Sequence, residues 1–163
     1  MKIETKIEFK DYLDLNLQLI FSKISFYFIP LAIIIFFINH TEGIINKDIF
    51  SLMFFILILA VVIWPLFKIH SKIKSGFYTN KNLQEFIIYE FQKEKINIVG
   101  ESFQSEISWS NIHKIKELKN WFLIYQSENV ANLVPKKNFT KQQEEELRNL
   151  ITSHNIKSKL RKD

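Results

Sequence analysis

Residues 49–67 read IFSLMFFILILAVVIWPLF, nineteen positions without a single charge. As a helix rising about 1.5 Å per residue, the run extends about 28 Å, close to the hydrocarbon thickness of a bilayer. A second apolar run, 24–38 (ISFYFIPLAIIIFFI), is interrupted only by Ser25 and Tyr27. It is short alone, but Leu13, Leu15, Leu17, Leu19, Ile20 and Phe21 extend its apolar surface toward the N-terminus. Lys23 is long enough to carry its ammonium to the headgroups. The pattern predicts two spans, about 20–39 and 49–69. The polar-rich remainder of the chain is too small to wrap two helices this apolar as a soluble core. A cleaved secretory signal is not expected, because the first run starts after acidic residues and lacks a small-x-small site.

Lysines set the expected orientation. The link 39–48 (NHTEGIINKD) carries one Lys and no Arg, whereas the flanks of the apolar runs hold Lys6, Lys10 and Lys23 on one side and Lys68, Lys72, Lys74 and Lys81 on the other. The positive-inside bias places both termini in the cytoplasm and the link outside, in a bacterial inner membrane. Composition narrows the rest. The 163 residues are 47% hydrophobic and 15% aromatic with 3 Gly and 3 Pro, which excludes a disordered, collagen-like or linker protein. With 0 Cys there is no disulfide scaffold, thiol nucleophile or cysteine-based metal site.

Outside the hairpin the periodicity changes. Ile3, Thr5, Ile7 and Phe9 alternate with charged neighbours from Lys2 to Lys10. Residues 1–10 therefore read as a strand with one buried face, followed by Asp11 as cap of a helix starting at Tyr12. The hairpin then occupies 11–74, with Ser75-Gly76 ending its second helix. Residues 75–163 read as a β domain: Asn80 caps a short turn, and strands follow at 85–91, 95–99, 104–109, 112–118, 121–126 and 130–134. The continuously apolar 121–125 (WFLIY) suits a central strand covered on both faces. Thr140-Lys141-Gln142-Gln143 is a capping box opening a helix to about Ser153, with Leu147, Leu150 and Ile151 as its apolar stripe and Phe139 as a staple. The tail 154–163 reads as basic and frayed. The fold class is membrane α+β: a two-helix transmembrane hairpin plus a small cytoplasmic antiparallel β domain, closed by a C-terminal helix and joined by the N-terminal strand.

The order of these parts, with 107–112 (ISWSNI), 121–125 (WFLIY) and 134–139 (VPKKNF), resembles the YcxB-like family of small bacterial membrane proteins. Its structural signature falls here on Trp109, Ile112, Trp121, Pro135 and Phe139. The resemblance implies a cytoplasmic domain similar to bacterial pleckstrin-homology domains. It implies no enzymatic activity and carries no catalytic residues over.

A search for chemistry in the residues gives the same expectation of no enzyme, cofactor or metal. Gly43, Gly76 and Gly100 cannot make a phosphate loop, and His40, His70, His113 and His154 lack metal-ligand spacing. Ser108 and Ser110 flank Trp109 without a nucleophile elbow. His113 could pair with Glu117 only on a helix. Glu144, Glu145 and Glu146 suit the dipole of a helix start. Charge is the remaining lead, since from His70 onward 16 Lys and Arg stand against 11 Asp and Glu. Lys114, Lys116, Lys119, Lys136 and Lys137 form the candidate interaction face, suited to an anionic leaflet. Nucleic acid is not expected, because the cations are mixed with acids and no stacking motif accompanies them. The expected function is a membrane-tethered interaction module for protein or lipid, with the bilayer and a protein partner or second copy as its associates. The alternative is an immunity protein that neutralises a cognate toxin acting at the envelope.

Overall fold

A computed structural model describes residues 1–23, 28, 31–33, 35, 36, 38 and 49–161. In chain order the elements are β1 (Lys2–Lys6), α1 (Phe9–Phe21), α2 (Ile49–Thr79), β2 (Phe86–Phe91), β3 (Lys95–Val99) and β4 (Gln104–Ser108). They continue with β5 (Lys114–Glu117), β6 (Trp121–Tyr125), β7 (Ala131–Pro135), α3 (Lys141–Ser153) and β8 (Ser158–Lys159). The chain divides into two compact units, Met1–Glu8 with Asn80–Asp163, and Phe9–Thr79.

The first unit is α+β. One antiparallel sheet runs β1-β2-β3-β4 and a second runs β7-β6-β5-β8. The alternation at the N-terminus forms β1 because it satisfies a ladder and a core together. Ile3 pairs with Tyr89 and Thr5 with Ile87, while Ile3 and Thr5 are buried and Lys2, Glu4 and Lys6 are exposed. Inward side chains of both sheets, including Ile3, Phe91, Ile96, Ile115, Phe122 and Val134, meet Leu147 and Ile151 of α3 in one core. Polar groups stitch the sheets: the Tyr89 hydroxyl donates to the Leu133 carbonyl at 3.3 Å, and burial pushes its phenol well above the ordinary range. The capping box of α3 is complete, with Gln143 N–H donating to Thr140 Oγ1 and Gln143 Oε1 accepting from Thr140 N–H.

Several expectations need correction. The tail does not fray: Ser158–Lys159 pairs parallel with Ile115 and Lys116, anchored by Ile156 and Leu160 packing against the core. The strands therefore number eight among the described residues, and two of them, β5 and β8, form a parallel pair. α1 begins at Phe9, because its ring stacks on Tyr78 and packs against Phe77, both centroids at 5.7 Å. Asp11 thus lies in the first helical turn, where its charge suits the dipole, instead of at the cap. α2 runs through Gly76 to Thr79, since Gly76 keeps a negative φ and Phe77 beyond it is buried. Asn80 precedes a 3-10 turn at Lys81–Gln84 without a side-chain cap bond.

In the second unit α1 packs along α2. Among the described residues one helix is long and apolar enough to cross a membrane, over Phe55–Thr79, and only 6% of its most apolar window is buried. Ile56, Trp64 and Phe67 are 57%, 65% and 72% exposed. Positions 24–27, 29, 30, 34, 37 and 39 of the expected first span at 20–39, and the whole link 39–48, lie outside the described residues; the described positions from 28 to 38 are helical.

Candidate interaction face

β5 builds the centre of the face. Its period of two buries Ile115 and Glu117 and leaves Lys114 and Lys116 on the other side, both half-buried. The Lys114 ammonium sits 4.7 Å above the ring of Tyr125, its cross-strand partner. Lys116 is in register with Lys159 of β8, so two cations share one side of neighbouring strands. Lys119 is exposed in the tight turn to β6, where Leu118 N–H donates to the Trp121 carbonyl at 2.8 Å. The Lys136 N–H donates to the Asn120 carbonyl at 2.9 Å, which draws the 3-10 turn Lys136–Asn138, with exposed Lys137, beside that turn. In the resulting strip Lys114 and Lys116 stand about 7 Å apart along one side of β5, with Lys159 on the neighbouring strand and Lys119 and Lys137 on the turns beyond its end.

Lys136 does not belong to the strip. It is 8% exposed and pairs with the buried Glu117 and, at 2.9 Å, with Glu144. Two consecutive lysines on a 3-10 turn point to different sides, and only Lys137 points outward. The Glu117 carboxylate also accepts from Arg148 Nε at 3.2 Å and Nη2 at 2.7 Å, and from the Arg161 backbone N–H at 3.0 Å. Burial pushes its carboxyl up. The donors of Arg148, Lys136 and Arg161 outweigh that and hold it below the usual carboxylate range. This network ties β5, the turn after β7, α3 and the tail together. Its acid was detectable in principle, because the alternation of Ile115 and Glu117 sets that carboxylate on the core face. Lys159 was hidden by a basic tail that reads as solvated.

The signature residues are structural. Trp109, Ile112 and Trp121 are buried, Pro135 is in register with Trp121, and the Phe139 ring packs against Phe122. Trp109 Nε1 donates to the Gln92 carbonyl at 2.9 Å, and its ring stacks on His154 at 5.1 Å. Residues 91–151 match the family model for YcxB-like protein. That segment is YcxB-like. It carries all five signature residues, the lysines of β5 and its following turn, and three of the four residues that contact Glu117 or each other in the network. No curated protein and no solved structure matches the chain.

His113 and Glu117 do not pair: Glu117 lies on β5, which His113 precedes, and is committed to its buried cations. Ser108 and Ser110 hydrogen-bond each other at 3.1 Å. Among the described residues no group of three or more His, Asp or Glu could hold a metal ion.

Proposed function

We propose that the protein is a non-enzymatic inner-membrane protein whose YcxB-like, pleckstrin-homology-like domain serves as a protein- or lipid-interaction module on the cytoplasmic side. The observation that carries the reading is α2, a 31-residue helix whose apolar side chains stand exposed and need a non-aqueous surrounding. Support for a second crossing comes from β1 and β2. They share one ladder, so residues 2–6 and 86–91 must lie on the same side of any bilayer. A chain that crosses once through α2 must then cross back, and 20–39 is the apolar run available for it. The lysine bias favours the cytoplasm for both termini. The strip of Lys114, Lys116, Lys119, Lys137 and Lys159 suits an acidic surface, with attraction that is long-ranged and non-directional.

Alkaline extraction of membranes followed by cysteine labelling tests this. The protein should stay in the membrane fraction. Gly43→Cys should react with an impermeant thiol reagent applied to cells with the outer layer opened, and Ser127→Cys should not. Extraction into the aqueous fraction would refute the anchor. Labelling at 127 with silence at 43 would invert the orientation.

A further inference from the structure

Between α1 and α2 lies a cleft of about 970 Å³, all of whose lining belongs to the unit Phe9–Thr79. One wall is a stripe of α1, Tyr12 and Asn16 among it; the other is a stripe of α2 that includes Lys68, Ser71, Lys72 and Ser75. Among the described residues no Asp or Glu lines the cleft, and neither lysine has an ion-pair partner. Two lysines one helical turn apart therefore line a concavity together with hydroxyl-bearing residues.

Its depth is informative. Lys68 is the first charged residue after the apolar run 49–67, and its ammonium lies 5.4 Å above the ring of Trp64, one turn back on the exposed apolar helix. A Trp–Lys pair at the end of such a run belongs at the headgroup level. Basic pockets between helices at this level bind anionic headgroups, because the phosphate finds both charge and donors where water is already thinned.

We infer that the cleft between α1 and α2 is a binding site for the phosphate of an anionic phospholipid, with Lys68 and Lys72 as its charge partners. The site rests on the membrane reading of α2 and is separate from the lysine strip of the β unit.

The test uses the full chain in bilayers of phosphatidylcholine, with brominated phosphatidylcholine or brominated phosphatidylglycerol as quencher of Trp64 fluorescence. Quenching should favour the anionic lipid by about five-fold for each lysine. Lys68→Gln with Lys72→Gln should remove the preference, and Lys114→Gln with Lys116→Gln and Lys119→Gln should leave it. Gly76→Leu keeps both charges but adds bulk to the cleft. A Cβ there meets Tyr12 Oη at 3.7 Å, an ordinary contact, and the rest of the side chain extends beyond it. This variant should weaken the preference as well. A membrane-embedded protein whose preference survives the Lys68 and Lys72 changes would overturn the site and leave the anchor standing. Loss of the preference on adding inorganic phosphate at matched ionic strength would overturn the lipid assignment in favour of a soluble phosphate. Release of the chain by alkaline extraction would overturn the anchor and the site together.

Discussion

Replacing Glu117 by Gln should be among the most damaging single-atom changes available to the β unit. The Glu117 side chain is fully buried, and Lys136 and Arg148 are 7% and 19% exposed beside it. Gln keeps the shape but removes the charge, leaving two cations to share Glu144, which lies 2.9 Å from Lys136 and 3.6 Å from Arg148. Removing one partner of a buried pair costs about 3–5 kcal/mol, and the remaining acid holds the loss near the lower end. At roughly 4–8 °C per kcal/mol for a domain of this size, about 3 kcal/mol lowers Tm by about 12–24 °C. Thermal unfolding of the full chain in detergent, followed by the emission of buried Trp109 and Trp121, reads this directly. Replacing the network at once, Glu117→Leu with Lys136→Met and Arg148→Met, should stay within about 1 kcal/mol of the native chain, since apolar substitutes remove the desolvation along with the attraction. The carboxyl is held below its ordinary value of 4.5 in the folded state. The stabilisation it gives is therefore complete above that pH and fades as pH falls through the lowered value. The gap between native and Gln chains must narrow on acidification below 4.5. A Tm change under about 4 °C at neutral pH, or a gap that widens in acid, would refute the reasoning.

Three further outcomes are expected. Ile3→Asp places an unpaired charge in the core and should cost several kcal/mol, whereas Glu4→Lys on the exposed side of β1 should be close to silent in limited proteolysis. Changing Lys114, Lys116, Lys119 and Lys137 together to Gln should weaken lysine-strip binding to anionic vesicles or an acidic partner, measured on the full chain by its salt dependence. The same four changed to Arg should keep it, because the Debye length, about 8 Å at physiological salt, screens charge regardless of its carrier. Thr140→Ala should cost about 1 kcal/mol by chemical denaturation, since it opens a complete capping box.

What could be read from the sequence was local. The alternation of β1 and the Thr140–Gln143 box each declare themselves within a few residues, and their hydrogen bonds close where the spacing places them. The strands from Lys95 to Tyr125 follow for the same reason. What escaped depends on distant partners. Glu117 meets Lys136, Arg148 and Arg161 across 19, 31 and 44 positions, and no short window reveals those distances. From sequence Lys136 reads as part of the exposed strip, because a Lys-Lys pair looks solvated until the turn that carries it is known. β8 is two residues long and owes its existence to β5, so its own composition gives no strand signal. At Phe9 two local patterns overlapped, and rings some seventy positions away decided for the helix.

The placement of β1 gives the protein a built-in order of assembly. This strand is made before either helix, yet its neighbour in the sheet, β2, ends at Phe91. At roughly 5–20 residues per second of synthesis, β1 waits about 4–17 s for that neighbour, and every residue of α1 and α2 is made in the interval. Sheet closure is consequently a late checkpoint. A nascent chain whose intervening helices have left its two ends on opposite sides of a barrier would be unable to zip β1 against β2. It would keep an apolar edge of Ile87 and Tyr89 open to chaperones and proteases. On the membrane reading proposed above, completion of the first sheet would double as a proofreading step on the topology of everything made between its first two strands.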